Sequence, residues 1–282
     1  MAAGDSWAGV GKTHRRGLIQ NRLDTNSTSI LYDGKAHPTK GGISTMNDDA
    51  WTEFSGVVIN KGYSILEQSA ASSIDGRTQS LAFSLLARSL SNYSGALILM
   101  KAGRVVEARM LVRACLENEF FLRALKADPK KFWTQLQADD LKHRQQRGEH
   151  YFATAEGVDE NVARRLREWL KKSKVEHPDA KSISPKKMAA GNPTYIAYAQ
   201  MSSDAGHASQ TSLSRHMVRN RGGVPQFTPH APIGEDEVVD TFRWGCLSLI
   251  RACGTVNELI WKSENDGIQE IVERYGKLLG MR

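Results

Sequence analysis

Cysteine is scarce in this chain. There are three, Cys115, Cys246 and Cys253, and none stands in a Cys-x-x-Cys pair. That excludes a disulfide-stapled secreted domain and a thiolate zinc cage, and leaves three small apolar side chains suited to a reducing compartment. Long apolar runs are missing as well. No stretch reaches the roughly 18 residues that a bilayer span needs, so no membrane partner is expected. Met1 to Gly11 lacks a basic start leading into an apolar stretch, so no secretory signal is read there, and a cytoplasmic location is expected. Alternation of period two does not persist anywhere, which excludes a sheet as the organising element. No internal repeat is detectable, which excludes a solenoid.

What is present is helical. The chain has 282 residues, 40% hydrophobic and 24% charged, enough for a single core. The pattern predicts an all-α, multi-helix bundle over residues 46–282, preceded by a disordered or loosely attached tail over 1–45, where Gly, Ser, Thr and Asn abound and apolar residues lack a period. The tail holds Gly9-Val10-Gly11-Lys12-Thr13, but Ser6 stands where a phosphate-binding loop needs its first Gly, and too few residues precede it to form the feeding strand. Trp51, Phe54, Val58 and Ile65 mark a first helix. Leu86, Leu90, Tyr93, Leu97 and Met100 mark a second, ended by Gly103. A third runs from Val105 to Lys126, and a fourth opens at Asp128-Pro129, with Pro in the first turn. A short basic helix over Val162 to Leu170, a loop over 172–194, a helix from Thr194 to Arg219, a second loop, and helices from Glu235 and from Ile268 complete the reading.

Two polar constellations sit on these helices. The third helix is apolar on every side, as a buried helix is. Arg113 and Glu117 lie one turn apart on it, and buried charges must be paired, so an ion pair inside the bundle is expected, with His207 as its candidate third member and proton carrier. The fourth helix carries Asp140, His143, Arg147, His150 and Tyr151 at spacings of three and four, on one stripe continuous with Phe132 and Leu136. Their spacing is wide for zinc, so neither a metal nor any other cofactor is expected. No Gly-x-Ser-x-Gly turn exists for a serine hydrolase.

The net charge is +7, and the excess is uneven. Arg164, Arg165, Arg167, Lys171, Lys172, Lys174, Lys181, Lys186 and Lys187 are opposed by few acids. They form either a solvated helix end or a phosphate-binding surface. Of these, Arg164, Arg165, Lys171, Lys172, Lys186 and Lys187 are the candidate nucleic-acid contacts.

The stretch from Leu97 to Phe132, with Ala108-x4-Arg113-x3-Glu117 and then Asp128-Pro129, resembles a widespread bacterial helical family of unknown function, the DUF5677-like proteins. Tyr198-x3-Ser202-x4-His207 resembles its second landmark, although Ala208-Ser209 departs from the usual context after the His. The resemblance covers about half the chain and implies an all-helical fold, and pairing of Arg113 and Glu117 with the His207 segment. It implies no established reaction. Arg144-x5-His150 resembles the Arg-x4–6-His signature of HEPN ribonucleases, which implies metal-independent RNA cleavage in bacterial defence or stress response. The rival expectation is a non-enzymatic interaction module with a protein partner or a second copy of the chain.

Overall fold

A helix that is apolar all round belongs in the middle of a bundle, and the third helix is there. In the computed structural model, which describes residues 45–71, 76–154, 157, 159–220, 223–229, 233–261 and 267–281, α3 (Val105–Ala127) packs against α2 (Arg77–Lys101), α4 (Pro129–Thr154), α7 (Tyr195–Met201) and α9 (Glu235–Trp261). Helix α1 (Thr45–Ala71) lies against α2 and α9, and α10 (Ile268–Leu278) closes on α1 and α9. The tail expected over residues 1–45 lies outside the described residues except for Thr45, and the Gly9 to Thr13 motif lies outside them entirely.

The core is built from the stripes that the sequence shows. Trp51, Phe54 and Val58 of α1, Leu86, Leu90 and Tyr93 of α2, and Phe242, Cys246, Leu249, Cys253 and Val256 of α9 are all buried around Val112, Leu116 and Phe120 of α3. Helices α2 and α9 come close because α9 offers Gly245 to the Tyr93 ring. A Cβ there would stand 2.1 Å from Tyr93 Cε2. The Tyr93 hydroxyl is 2.8 Å from Ser55 Oγ and 3.1 Å from Cys246 Sγ, so this buried phenol has hydrogen-bond partners. All three cysteines are buried and unbridged, and burial pushes the Cys115 and Cys253 thiols up to about 12.

Local signals set the ends of the elements. Gly103 adopts φ 71° between α2 and α3. Asp128 Oδ1 accepts from Lys131 N at 2.9 Å and caps α4 ahead of Pro129. Asp159 caps α5 (Glu160–Glu176) through Asn161 N and Val162 N, and the basic helix therefore starts earlier and runs six residues beyond Leu170. After it come a loop and the single turn α6 (Pro185–Met188).

The helix expected from Thr194 to Arg219 is not continuous. Helix α7 gives way to a π-helical turn over Ser202–Gly206, the backbone at His207 is extended (φ −139°, ψ 155°), and Ser209 starts α8 (Gln210–Ser214) with a capping box closed by Ser212. Beyond it, β1 (Met217–Arg219) pairs antiparallel with β2 (Pro225–Phe227), Val218 opposite Gln226. Three residues per strand are too few to register as a period of two, which is why this hairpin escapes a sequence reading.

Candidate functional site

Helix α3 buries charge, but one turn earlier than the Arg113–Glu117 spacing suggests. Arg109 is only 3% exposed, and its Nη2 donates to Asp204 Oδ2 at 2.8 Å across the interface with the π-helical turn. The same oxygen accepts from Arg215 Nη2 at 3.1 Å, and Arg215 donates onward to both carboxylate oxygens of Glu237 at the start of α9. Four charged groups from α3, the π turn, the end of α8 and α9 thus alternate in sign. Hydrogen bonds from Arg215 hold the Glu237 carboxyl below its ordinary value.

Arg113 lies one turn along and is half-buried. Its Nε donates to Ser202 Oγ at 2.7 Å, its Nη2 donates to Tyr198 Oη at 3.1 Å, and its guanidinium carbon stands 5.0 Å over the Tyr198 ring. Glu117 is half-buried, and no ion pair within 4.0 Å joins it to Arg113 among the described residues. The expected pairing is corrected here: Arg113 turns to a phenol and a hydroxyl, and the ion pair belongs to Arg109. The His207 side chain is exposed, and its carbonyl accepts from Ser212 Oγ at 2.6 Å. The cause is the π turn, whose wider winding brings Asp204 over α3 and leaves His207 beyond it. Arg109, Asp204, Arg215 and Glu237 were all missed. The available signal was the setting of Arg109, which has Val105 and Val112 one turn away and Leu116 two turns away on its own side of the helix, so a charge there needs a partner.

A second polar cluster lies further along α3. Glu119 is fully buried and accepts from Asn192 Nδ2 at 2.9 and 3.2 Å. Asn192 Oδ1 accepts from Thr194 N, Thr194 Oγ1 and, at 3.2 Å, Arg251 Nη1 of α9. Burial raises the Glu119 carboxyl above its ordinary value, and the nearby cations Arg251 and Arg123 pull the other way.

A sequence profile for a family of unknown function, DUF5677, matches residues 79–224, just over half the chain. The chain belongs to the DUF5677 family. No curated protein and no solved structure matches it. The DUF5677 segment runs from α2 to the hairpin and takes in both partners of the Arg109–Asp204 pair, and Arg113 with Tyr198 and Ser202.

The DUF5677 segment also contains the α4–α5 pair. In the second half of α4 the buried residues are Gln145 and Gly148. Gln145 Nε2 donates to Ser173 Oγ of α5 at 2.9 Å, and Gly148 faces Leu170. At about 100° per residue, His143, Arg147 and His150 point to the opposite side of α4. All three are exposed, His143 with Nε2 3.4 Å from Asp139 Oδ1. The stripe expected to continue from Phe132 therefore winds away from the packed face, and His150 is separated from the basic helix by the body of α4. Arg144 behaves differently. It pairs with Asp140 at 2.6 Å and lines a groove of about 810 Å³ together with His177, Lys181 and Lys187.

On α5, Arg164, Arg165, Lys171 and Lys172 are exposed, as are Lys186 and Lys187 beyond it, and Trp169 is 38% exposed. Arg164 pairs with Glu168 at 3.5 Å and Lys172 with Glu176 at 3.7 Å. Among the described residues no group of three or more His, Cys, Asp and Glu could hold a metal ion, and no helix is long and apolar enough to cross a membrane.

Proposed function

We propose that the chain binds single-stranded RNA along α5 and the segment that follows it. The observation that carries this reading is where the charge sits. Between Glu160 and Lys187 there are nine Lys and Arg against four Asp and Glu, which is most of the excess of a chain with net charge +7. Helix α5 packs against α4 through Ala163, Leu170 and Ser173 and turns its basic side chains to solvent. The ion pairs on that surface are exposed and worth about 0–1 kcal/mol each, so a phosphate can replace the carboxylate partner at little cost. Neutralising phosphates releases counterions. Trp169, flanked by Arg165 and Lys172 on the helix, adds a face on which an unpaired base can stack.

The test is fluorescence anisotropy of a labelled single-stranded RNA over a range of salt concentrations. Replacing Arg165, Lys171 and Lys172 together by Gln is expected to lower the slope of log K against log salt by about 2. Trp169→Ala is expected to weaken binding by about 1–3 kcal/mol at any salt. Absence of binding at low salt by folded protein, or an unchanged slope in the triple variant, overturns the reading.

Cleavage of the bound strand is a second reading, and the Arg144 groove favours it. There the 2′-hydroxyl would attack the neighbouring phosphorus while His177 takes its proton. Arg144 would hold the phosphate charge, and the bond to the 5′-oxygen would break as that oxygen picks up a proton. Products then carry a 2′,3′-cyclic phosphate, EDTA has no effect and DNA is inert. Loss of cleavage in His177→Ala but not in His150→Ala or His207→Ala supports this site. Loss in either of the latter two alone moves the chemistry elsewhere.

A further inference from the structure

Away from the basic helix, a cavity of about 640 Å³ opens between α3, α9, α10 and the turn at Gly191–Pro193. We infer that it is a binding site for a small organic anion, whose carboxylate or phosphate sits between Arg123 and Arg251.

The argument begins with Asn192, which is buried and has its amide fully committed. Its nitrogen is held by Glu119, and its oxygen receives Thr194 and Arg251. The amide therefore stands between the acid and the base. Arg251 is seated by a neutral oxygen, and no carboxylate lies within 4.0 Å of its guanidinium among the described residues. Arg123, from α3, lines the same cavity and likewise has no ion pair within that distance among the described residues. Lys126 and Glu258 do pair, at the same cavity, and cancel each other. What remains is two guanidinium groups, from α3 and α9, that line one cavity, and guanidinium is the side chain suited to holding an oxyanion in paired N–H bonds.

The rest of the cavity sets the ligand's other end. Ile250, Ile268 and Val272 give it an apolar wall, and its volume falls within the range of small-molecule sites. Glu119 also lines it beside the same two cations, which leaves a net charge of one for the anionic head and repels a second negative group. The ligand that fits is compact, with one anionic head and a mostly apolar body. Nothing here depends on α5, so this site and the RNA surface stand or fall separately.

The experiment uses the full chain. Inorganic phosphate, succinate and adenosine monophosphate are titrated against it at constant ionic strength, and the melting temperature and isothermal heat are followed. At least one of them is expected to bind saturably and raise the melting temperature by a few degrees at about a hundred times its Kd. The Arg123→Gln variant, whose side chain is exposed and safe to change, is expected to weaken that binding about tenfold or more, and Arg123→Gln/Arg251→Gln to abolish it. Lys181→Gln/Lys187→Gln, in the other groove, is expected to leave it unchanged. Inorganic phosphate binding alone reduces the ligand to its anionic head, whereas a preference for an organic anion supports the apolar wall as well. The inference is overturned if none of the three binds, or if binding survives unchanged in both arginine variants.

Discussion

Arg109 and Asp204 are both almost fully shielded from water and form an ion pair at 2.8 Å. Removing one leaves the other without its partner in a poor dielectric, so Arg109→Met is expected to cost about 3 kcal/mol, softened by the remaining contact from Arg215. Arg109→Met/Asp204→Leu should recover much of that loss, because Arg215 still has Glu237. Arg113→Ala, which breaks two hydrogen bonds and a ring contact at a half-buried position, should cost about 1–2 kcal/mol. Urea unfolding of the four proteins checks the order, and a larger loss at Arg113 than at Arg109 would contradict it. Glu119 gives a pH signature. Its carboxyl is raised in the fold, so the native state holds that proton more tightly than the unfolded chain does. The stability it contributes is complete below 4.5 and lost as pH rises through the raised value. Glu237 runs the other way, its contribution being lost as pH falls below 4.5. Glu119→Gln should therefore flatten the decline in urea midpoint as pH rises above 4.5. The presence of buried charge on α3 was legible from its composition. The pairing was not, because Asp204 is 95 residues away and a π turn decides which residue arrives.

Among the elements, α5 is weakly attached. Its buried residues are Ala163, Leu170 and Ser173, against eleven buried positions on α3. Amide exchange should follow this difference, with α5 opening at a small fraction of the global unfolding energy and the centre of α3 exchanging only on complete unfolding. Equal protection in the two helices would contradict that reading. At the α2–α9 contact the sensitive position is Gly245. Alanine there would press on the buried Tyr93 ring, and a loss of about 2–3 kcal/mol is expected, read by thermal unfolding. The long helices were legible because four-three stripes, Gly103, Asp128-Pro129 and the acids at Glu235 to Glu237 all agree. The region from Thr194 to Phe227 was not. Its elements are too short for a period, and their ends depend on Ser209 and Ser212 bonding to each other.

At the scale of the molecule, the family match and the folding unit do not coincide. The matched segment ends at residue 224, yet α9 begins at Glu235 and covers α3, while α1 lies before it. A fragment of residues 79–224 would bare Val112, Leu116 and Phe120, so it is expected to show helical circular dichroism without a cooperative melt, whereas residues 45–282 should melt in one step. A sharp transition in the fragment would show that the DUF5677 segment folds by itself. The all-helical class was readable from one sequence because period is a local property. The grooves were not, since each is made by residues that are distant along the chain. The Asp204 carboxylate has a further consequence, which concerns time. It reaches its final partners only when α3 has formed, the π turn has wound, and α8 has swung Arg215 back across it. A five-residue π turn cannot hold its shape without α3 beneath it, so substitutions at Asp204 are expected to leave the refolding rate nearly untouched and to speed unfolding instead, read from the two arms of a urea chevron. On that expectation the pair is a latch, set after the bundle has assembled and released before it comes apart.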